Sequence, residues 1–109
     1  EEGIIPHVYT HLSHMYTQGC SIYTTYVFPN ADNYGDTLAR WKKIKAAACR
    51  SVSNGTATIS HQHGVGKDHA PYMHAEKGQL GMETIQSLVE HFDPKQQLNP
   101  GTLLEVKDK

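Results

Sequence analysis

Net charge, cysteine and long apolar runs are all scarce in this chain of 109 residues. Ten Lys plus Arg stand against eleven Asp plus Glu, so the formal charge is −1 and no basic field exists to gather nucleic acid; no nucleic-acid partner is expected. Cys20 and Cys49 fit no CxxC spacing and are too few for a disulfide scaffold, which points to a reducing compartment. No apolar run approaches the ~20 residues that cross a bilayer, and the N-terminus lacks a basic-then-apolar signal pattern. These absences predict a soluble, cytoplasmic protein and leave membrane association open. Repeats, linkers and low-complexity segments are also missing, and the length allows one domain with a modest core. Because the chain begins at Glu1 rather than Met and runs almost at once into strand-like sequence, it is expected to be a piece of something longer.

Histidine is abundant instead. Eight imidazoles would carry the formal charge from −1 to +7 on full protonation, so the chain should respond to mild acid. Apolar residues at 38% supply enough core-formers for folding. From Ile4 to Tyr16, β-branched, aromatic and His residues alternate into one predicted strand, with Pro6 at an edge or in a connection. After the turn signal Gln18-Gly19, Ser21 to Phe28 reads as its hairpin partner, with Ile22, Thr24, Tyr26 and Phe28 on one face and Tyr23, Thr25 and Val27 on the other. Asp36 is placed to cap a helix carrying Leu38, Trp41, Ile44, Ala48 and Val52 at spacings of three and four, stopped by Asn54-Gly55. Thr56–Ser60 is a short strand candidate, and a long loop is predicted over 61–81. Met82, Ile85, Leu88, Val89 and Phe92 then mark a second helix ended by Asp93-Pro94. The tail from Leu98 to Leu104 reads as extended and apolar, needing a surface to lie on. The order β, β, α, β, α predicts an α+β fold: a small antiparallel sheet with helices packed on one face.

Chemistry concentrates in Ser60-His61-Gln62-His63-Gly64-Val65-Gly66. If the preceding strand continues, His61 and His63 share a side with Ile59 while Gln62 faces away. Paired imidazoles suit a metal, a proton relay or an anionic substrate. Gly64 and Gly66 remove side chains where the backbone turns, letting it approach a flat ligand closely. A dinucleotide site is excluded, since the full GxGxxG and its βαβ unit are absent. His61, His63, His69 and His74 cluster within fourteen positions, and His7, His11 and His14 near the start, but the spacings match neither HExxH nor a CxxC-type zinc site, so no metal is expected. Tyr23 sits mid-strand, where a phenol with a usual pKa of ~10 is a proton donor at neutral pH or simply packs. Cys49, in an Ala-rich stretch, reads as buried packing, and Lys42, Lys43 and Lys45 as a solvated helix face.

The runs TISHQHGVGKDHAPYMHAEKG and GMETIQSLVEHFDPKQQLNPGTLL resemble the C-terminal end of FAD-linked oxidases of the vanillyl-alcohol oxidase superfamily. The resemblance is nearest to bacterial alkyldihydroxyacetonephosphate synthase-like proteins, which typically show SHHHGVG followed by DPxxxLNPGxLL. HMYTQGCSIYTTYVF is similar to that family's strand pair. The resemblance implies a ferredoxin-like half of a substrate-binding cap domain, residues 1–109 forming its distal part, with the FAD-binding domain upstream and absent. It implies that Tyr23 matches a tyrosine acting as acid or base at the substrate, and that His61 and His63 match histidines flanking flavin and substrate. Gln62, Gly64, Gly66 and Asn99 fall at positions implied to lie against FAD. Gln62 replaces a family histidine, and an amide exchanges no proton near pH 7. The implied partners are the upstream domain, a small-molecule substrate for which an anionic group is one option, and a second copy in a homo-oligomer; the fragment alone is expected to be inactive. Two readings from other classes stand beside it: a stand-alone His-rich metal-binding module, and a structural interaction domain whose apolar tail pairs with another copy.

Overall fold

The structure, a computed structural model, describes residues 6–55 and 57–105. Ile4 and Ile5 of the predicted first strand, and Thr56 of the predicted third, lie outside the described residues. The chain divides into two compact units, Glu1–Lys42 and Lys43–Lys109, with the division falling inside the first helix.

In the first unit, β1 (His7–Tyr16) and β2 (Gly19–Val27) form an antiparallel hairpin. Thr17 and Gln18 make the two-residue turn, and Gly19 leaves it at φ 149°, a conformation that suits a residue without a Cβ. One extra residue, His14 at φ 48°, bulges out of β1 between Ser13 and Met15. Opposed residues share a face. Val8, Thr10 and Leu12 therefore stand with Tyr26, Thr24 and Ile22, and the Thr10 and Thr24 hydroxyls hydrogen-bond across the ladder at 3.2 Å. On the other face His7, Tyr9, His11 and Ser13 meet Val27, Thr25, Tyr23 and Ser21. The alternation expected for β2 is thus observed. Leu12 is 70% exposed and Ile22 69%, so the two strands by themselves enclose no core.

α1 (Tyr34–Ser53) begins one turn ahead of the expected cap. Asn33, not Asp36, occupies the cap position: its Oδ1 accepts the Asp36 N–H at 2.9 Å, and its Nδ2 donates to Asp36 Oδ2 at 2.8 Å. Asn serves a cap as well as Asp does, and Asp36 at the third helical position adds negative charge where the helix dipole favours it. Thr37 reinforces the start by donating to the Asn33 carbonyl and accepting the Ala31 N–H. The helix ends at Ser53, just before Asn54-Gly55 as the sequence predicts.

The second unit corrects three expectations. Described residues 57–60 form no strand, because no neighbouring strand offers them a ladder. The predicted loop over 61–81 is largely helical: α2 (Gly66–His69) runs into a 3₁₀ turn (Ala70–Tyr72) and then α3 (Met73–Phe92). Gly78, which reads as a loop signal, is a kink inside α3 at φ 65° and ψ 176°. The tail is turned rather than extended. Asp93 ends α3 and its carboxylate accepts the N–H groups of Gln97 and Leu98 at 2.9 and 2.7 Å, while Asn99 heads a further turn that Thr102 closes. The tail does find a surface, since Leu98, Leu103 and Leu104 line a groove of about 250 Å³ with Gln86 and Val89 of α3. Among the described residues only Cys49, Ala70 and Met73 are buried apolar groups, which places the small core where α1, the 3₁₀ turn and α3 carry them. The α+β content expected from the sequence is present as one two-stranded antiparallel sheet and helices.

Candidate functional site

The histidine motif is a tight turn rather than a strand end. The His63 N–H donates to the His61 carbonyl at 2.8 Å, a three-residue turn centred on Gln62, whose φ of 58° is unusual for a residue with a side chain. Ser60 Oγ donates to the Gly64 carbonyl and closes the turn from outside. The strand-like alternation expected for His61, Gln62 and His63 therefore does not apply. His61 is half-buried, while Gln62, His63 and Gly64 are exposed. Gly64 and Gly66 sit at φ 77° and 59°, and a Cβ placed on either would meet no heavy atom within 4 Å. This backbone is bare and open on the side a side chain would fill, which fits a flat ring approaching it.

Residues outside the motif hold the segment that leads into the turn and anchor the short helix that follows it. Upstream, Glu76 on α3 accepts the Ile59 N–H at 2.9 Å and the Thr58 hydroxyl at 3.1 Å, while Lys77 Nζ donates to the same carboxylate at 2.8 Å. The Lys77 hydrogen bond first, then the Ile59 N–H, hold the Glu76 carboxyl below its ordinary value. Downstream, the His69 Nε2 lies 2.9 Å from Lys45 Nζ. An ammonium has only protons to offer, so Nε2 accepts and the neutral ring carries its proton on Nδ1. Nδ1 is buried with no acceptor in hydrogen-bonding geometry among the described residues; the carbonyls of Gly64 and Val65 act on the ring as nearby dipoles. Burial first, then the Lys45 charge, push the His69 pKa below its usual value, outweighing Asp68 and those carbonyls. Beside them the Cys49 thiol is raised, chiefly by burial, with Lys45 opposing and Asp68 adding.

His69 thus belongs to Lys45, and His74 Nε2 lies 3.2 Å from Gln79 Oε1. No group of three or more His, Cys, Asp or Glu side chains converges on a metal-sized space among the described residues. The lowered His69 pKa has a measurable consequence. The unfolded chain takes up this proton near pH 6.5 and the folded chain only below that, so stability is full above 6.5 and falls as pH drops toward the folded value. His69→Gln is expected to flatten the pH dependence of the urea midpoint in this window; an unchanged slope would contradict the assignment.

Tyr23 lies in the first unit, on the hairpin face opposite the Leu12 side. Its ring stacks on His11 with centroids 5.1 Å apart and planes at 27°. His11 is a site neighbour that the sequence reading placed only in a histidine cluster. The signal was hidden, because an unbulged two-residue hairpin would set Tyr23 against Leu12; the extra residue His14 shifts the register and brings His11 across. Asn99, at φ 48°, heads its turn in the second unit, apart in sequence from the histidine turn.

Comparison with known proteins matches residues 1–103 to the family described as FAD linked oxidases, C-terminal domain. The chain belongs to this family. It is 32% identical to an alkyldihydroxyacetonephosphate synthase of Trypanosoma brucei brucei over 86% of its own length and 15% of that protein's. The corresponding synthase of Dictyostelium discoideum is 31% identical over 95% of this chain and 17% of its own. The glycolate oxidase subunit GlcD of Bacillus subtilis (strain 168) is 39% identical over 62% of this chain and 14% of its own. The chain thus spans less than a fifth of each of these relatives. No solved structure matches it. The FAD-linked family resemblance read from the histidine and LNPG motifs is therefore correct.

Proposed function

We propose that this chain is the distal part of the substrate-binding C-terminal domain of an FAD-dependent oxidoreductase, working with an FAD-binding domain upstream in the same polypeptide. The observation that carries the reading is the His61–Gln62–His63 turn backed by the bare glycine backbone at Gly64 and Gly66, in a chain of the FAD linked oxidase family. Its substrate is a small hydroxy-acid-like or glycerone-phosphate-like molecule, a class supported by the names of its relatives.

Bound flavin supplies two-electron redox chemistry, and the protein holds substrate and proton in place for it. Gly64 and Gly66 give the ring a surface free of side chains. His61 and His63 bind the anionic group of the substrate, with their imidazole N–H donors aimed where negative charge gathers. Tyr23 exchanges the substrate proton through its hydroxyl. Gln62 donates and accepts hydrogen bonds without changing charge, so proton transfer is left to Tyr23, His61 and His63. Asn99 offers an amide to the cofactor from the tail turn.

The experiment is expression of the full-length protein followed by FAD uptake and titration with glycolate and an alkyldihydroxyacetonephosphate. The expected result is a stoichiometric yellow protein whose flavin spectrum responds to one of these probes, with the response lost in His63→Ala. A full-length protein that takes up no FAD, or a His63→Ala variant that responds like the parent, would overturn the proposal.

A further inference from the structure

Among the described residues, no ladder includes the segment that enters the histidine turn. Residues 57–60 lead into it without a strand partner, yet a backbone N–H that is even partly buried needs an acceptor. Glu76 supplies one. Its Oε2 takes the Ile59 N–H at 2.9 Å, its Oε1 takes the Thr58 hydroxyl at 3.1 Å, and Lys77 caps Oε1 at 2.8 Å. Hydrogen bonds to an ionised carboxylate are about twice as strong as neutral ones, so this is a firm attachment for a segment with no ladder. Two residues further on, Ser60 ties to Gly64 and the His63 N–H ties to His61. The path from the carboxylate to the backbone that carries both imidazoles is therefore short: Glu76 holds Thr58 and Ile59, Ser60 follows, and the turn closes on itself.

We infer that Glu76 is a positioning residue, whose carboxylate fixes the stem of the His61–His63 turn and through it the placement of both imidazoles against substrate. This rests on the proposed role of that turn. It adds a requirement the motif alone does not contain, a carboxylate on α3 thirteen residues beyond His63. Misplacement of a binding group by about 1 Å lowers rates up to ~10²-fold, so loss of the clasp should appear as slower turnover in a folded, flavin-loaded protein.

The test is a cycle in the full-length flavoprotein, with turnover of glycolate measured against an added electron-acceptor dye as oxidant, or, where the alkyldihydroxyacetonephosphate is the probe that responds, with the rate of that flavin response. Glu76→Ala is expected to lower kcat about 10- to 100-fold in the parent background and less than about twofold in a His61→Ala, His63→Ala background, because a residue that acts through the imidazoles has nothing to act on once they are gone. Glu76→Gln, which keeps one acceptor for the Ile59 N–H, should restore part of the loss; it also runs the same cycle if Glu76→Ala fails to fold. Equal losses in both backgrounds would overturn the positioning role while leaving the histidine turn's function intact. If the double histidine variant itself turns over like the parent, it is the underlying reading of the turn that fails.

Discussion

Replacing Tyr23 by Phe in the full-length flavoprotein is expected to lower kcat by about 10²- to 10⁴-fold, the usual worth of a positioned general acid or base. The substitution removes one oxygen and leaves the ring. The stack on His11 at 5.1 Å depends on the ring, and so does the place of Tyr23 opposite His11 in the hairpin register, so neither is disturbed. Flavin content should match the parent, and kcat and kcat/KM should fall together, the pattern of an interaction made only in the transition state. Unchanged kcat would remove Tyr23 from the chemistry and leave it a packing residue of an exposed hairpin. A fall in flavin content instead would move it from chemistry to cofactor binding.

The hairpin and α1 were legible in the sequence because their signals are periodic. Ile22, Thr24 and Tyr26 alternate with Tyr23 and Thr25, and Leu38, Trp41 and Ile44 repeat at helical spacing, so element type follows from which residues share a face. What the pattern does not contain is register. The His14 bulge decides that Tyr23 meets His11, and nothing in the composition of β1 marks His14 as the residue to be squeezed out. The third strand misled for a related reason: TATIS has strand-like side chains, but a strand also needs a neighbour, and here the Ile59 N–H goes to a carboxylate instead. The candidate site was legible in its motif residues and illegible in its supports. Glu76 and His69 act at a distance in sequence through single hydrogen bonds, which leave no period: Glu76 meets Thr58 and Ile59, and the His69 ring meets Lys45. The start of α3 was hidden by Gly78 and Gly81, each of which reads as a break.

Gly78 is also where the largest stability effect is expected. At φ 65° and ψ 176° its backbone occupies a region open essentially to glycine alone, and any L side chain there carries a strain of about 1–3 kcal/mol. Space does not contribute, since a Cβ at this position would meet no heavy atom within 4 Å. The cost is therefore conformational and should grow from Ala to the β-branched Val without any clash to relieve. Against a total stability of ~5–15 kcal/mol for a domain, Gly78→Val at the upper end of that range is a severe lesion. The kink has a purpose visible in the contacts on either side. Met73–Lys77 carries Glu76 to Thr58 and Ile59, whereas the helix beyond Gly78 carries Gln86 and Val89 to the tail. A residue favouring continuous helix would release strain by straightening α3, at the expense of one of these attachments. Gly78→Ala should therefore lower the urea midpoint, and Gly78→Val should lower it further. A variant as stable as the parent with higher helical circular dichroism would show instead that α3 straightens freely and that the kink holds nothing in place.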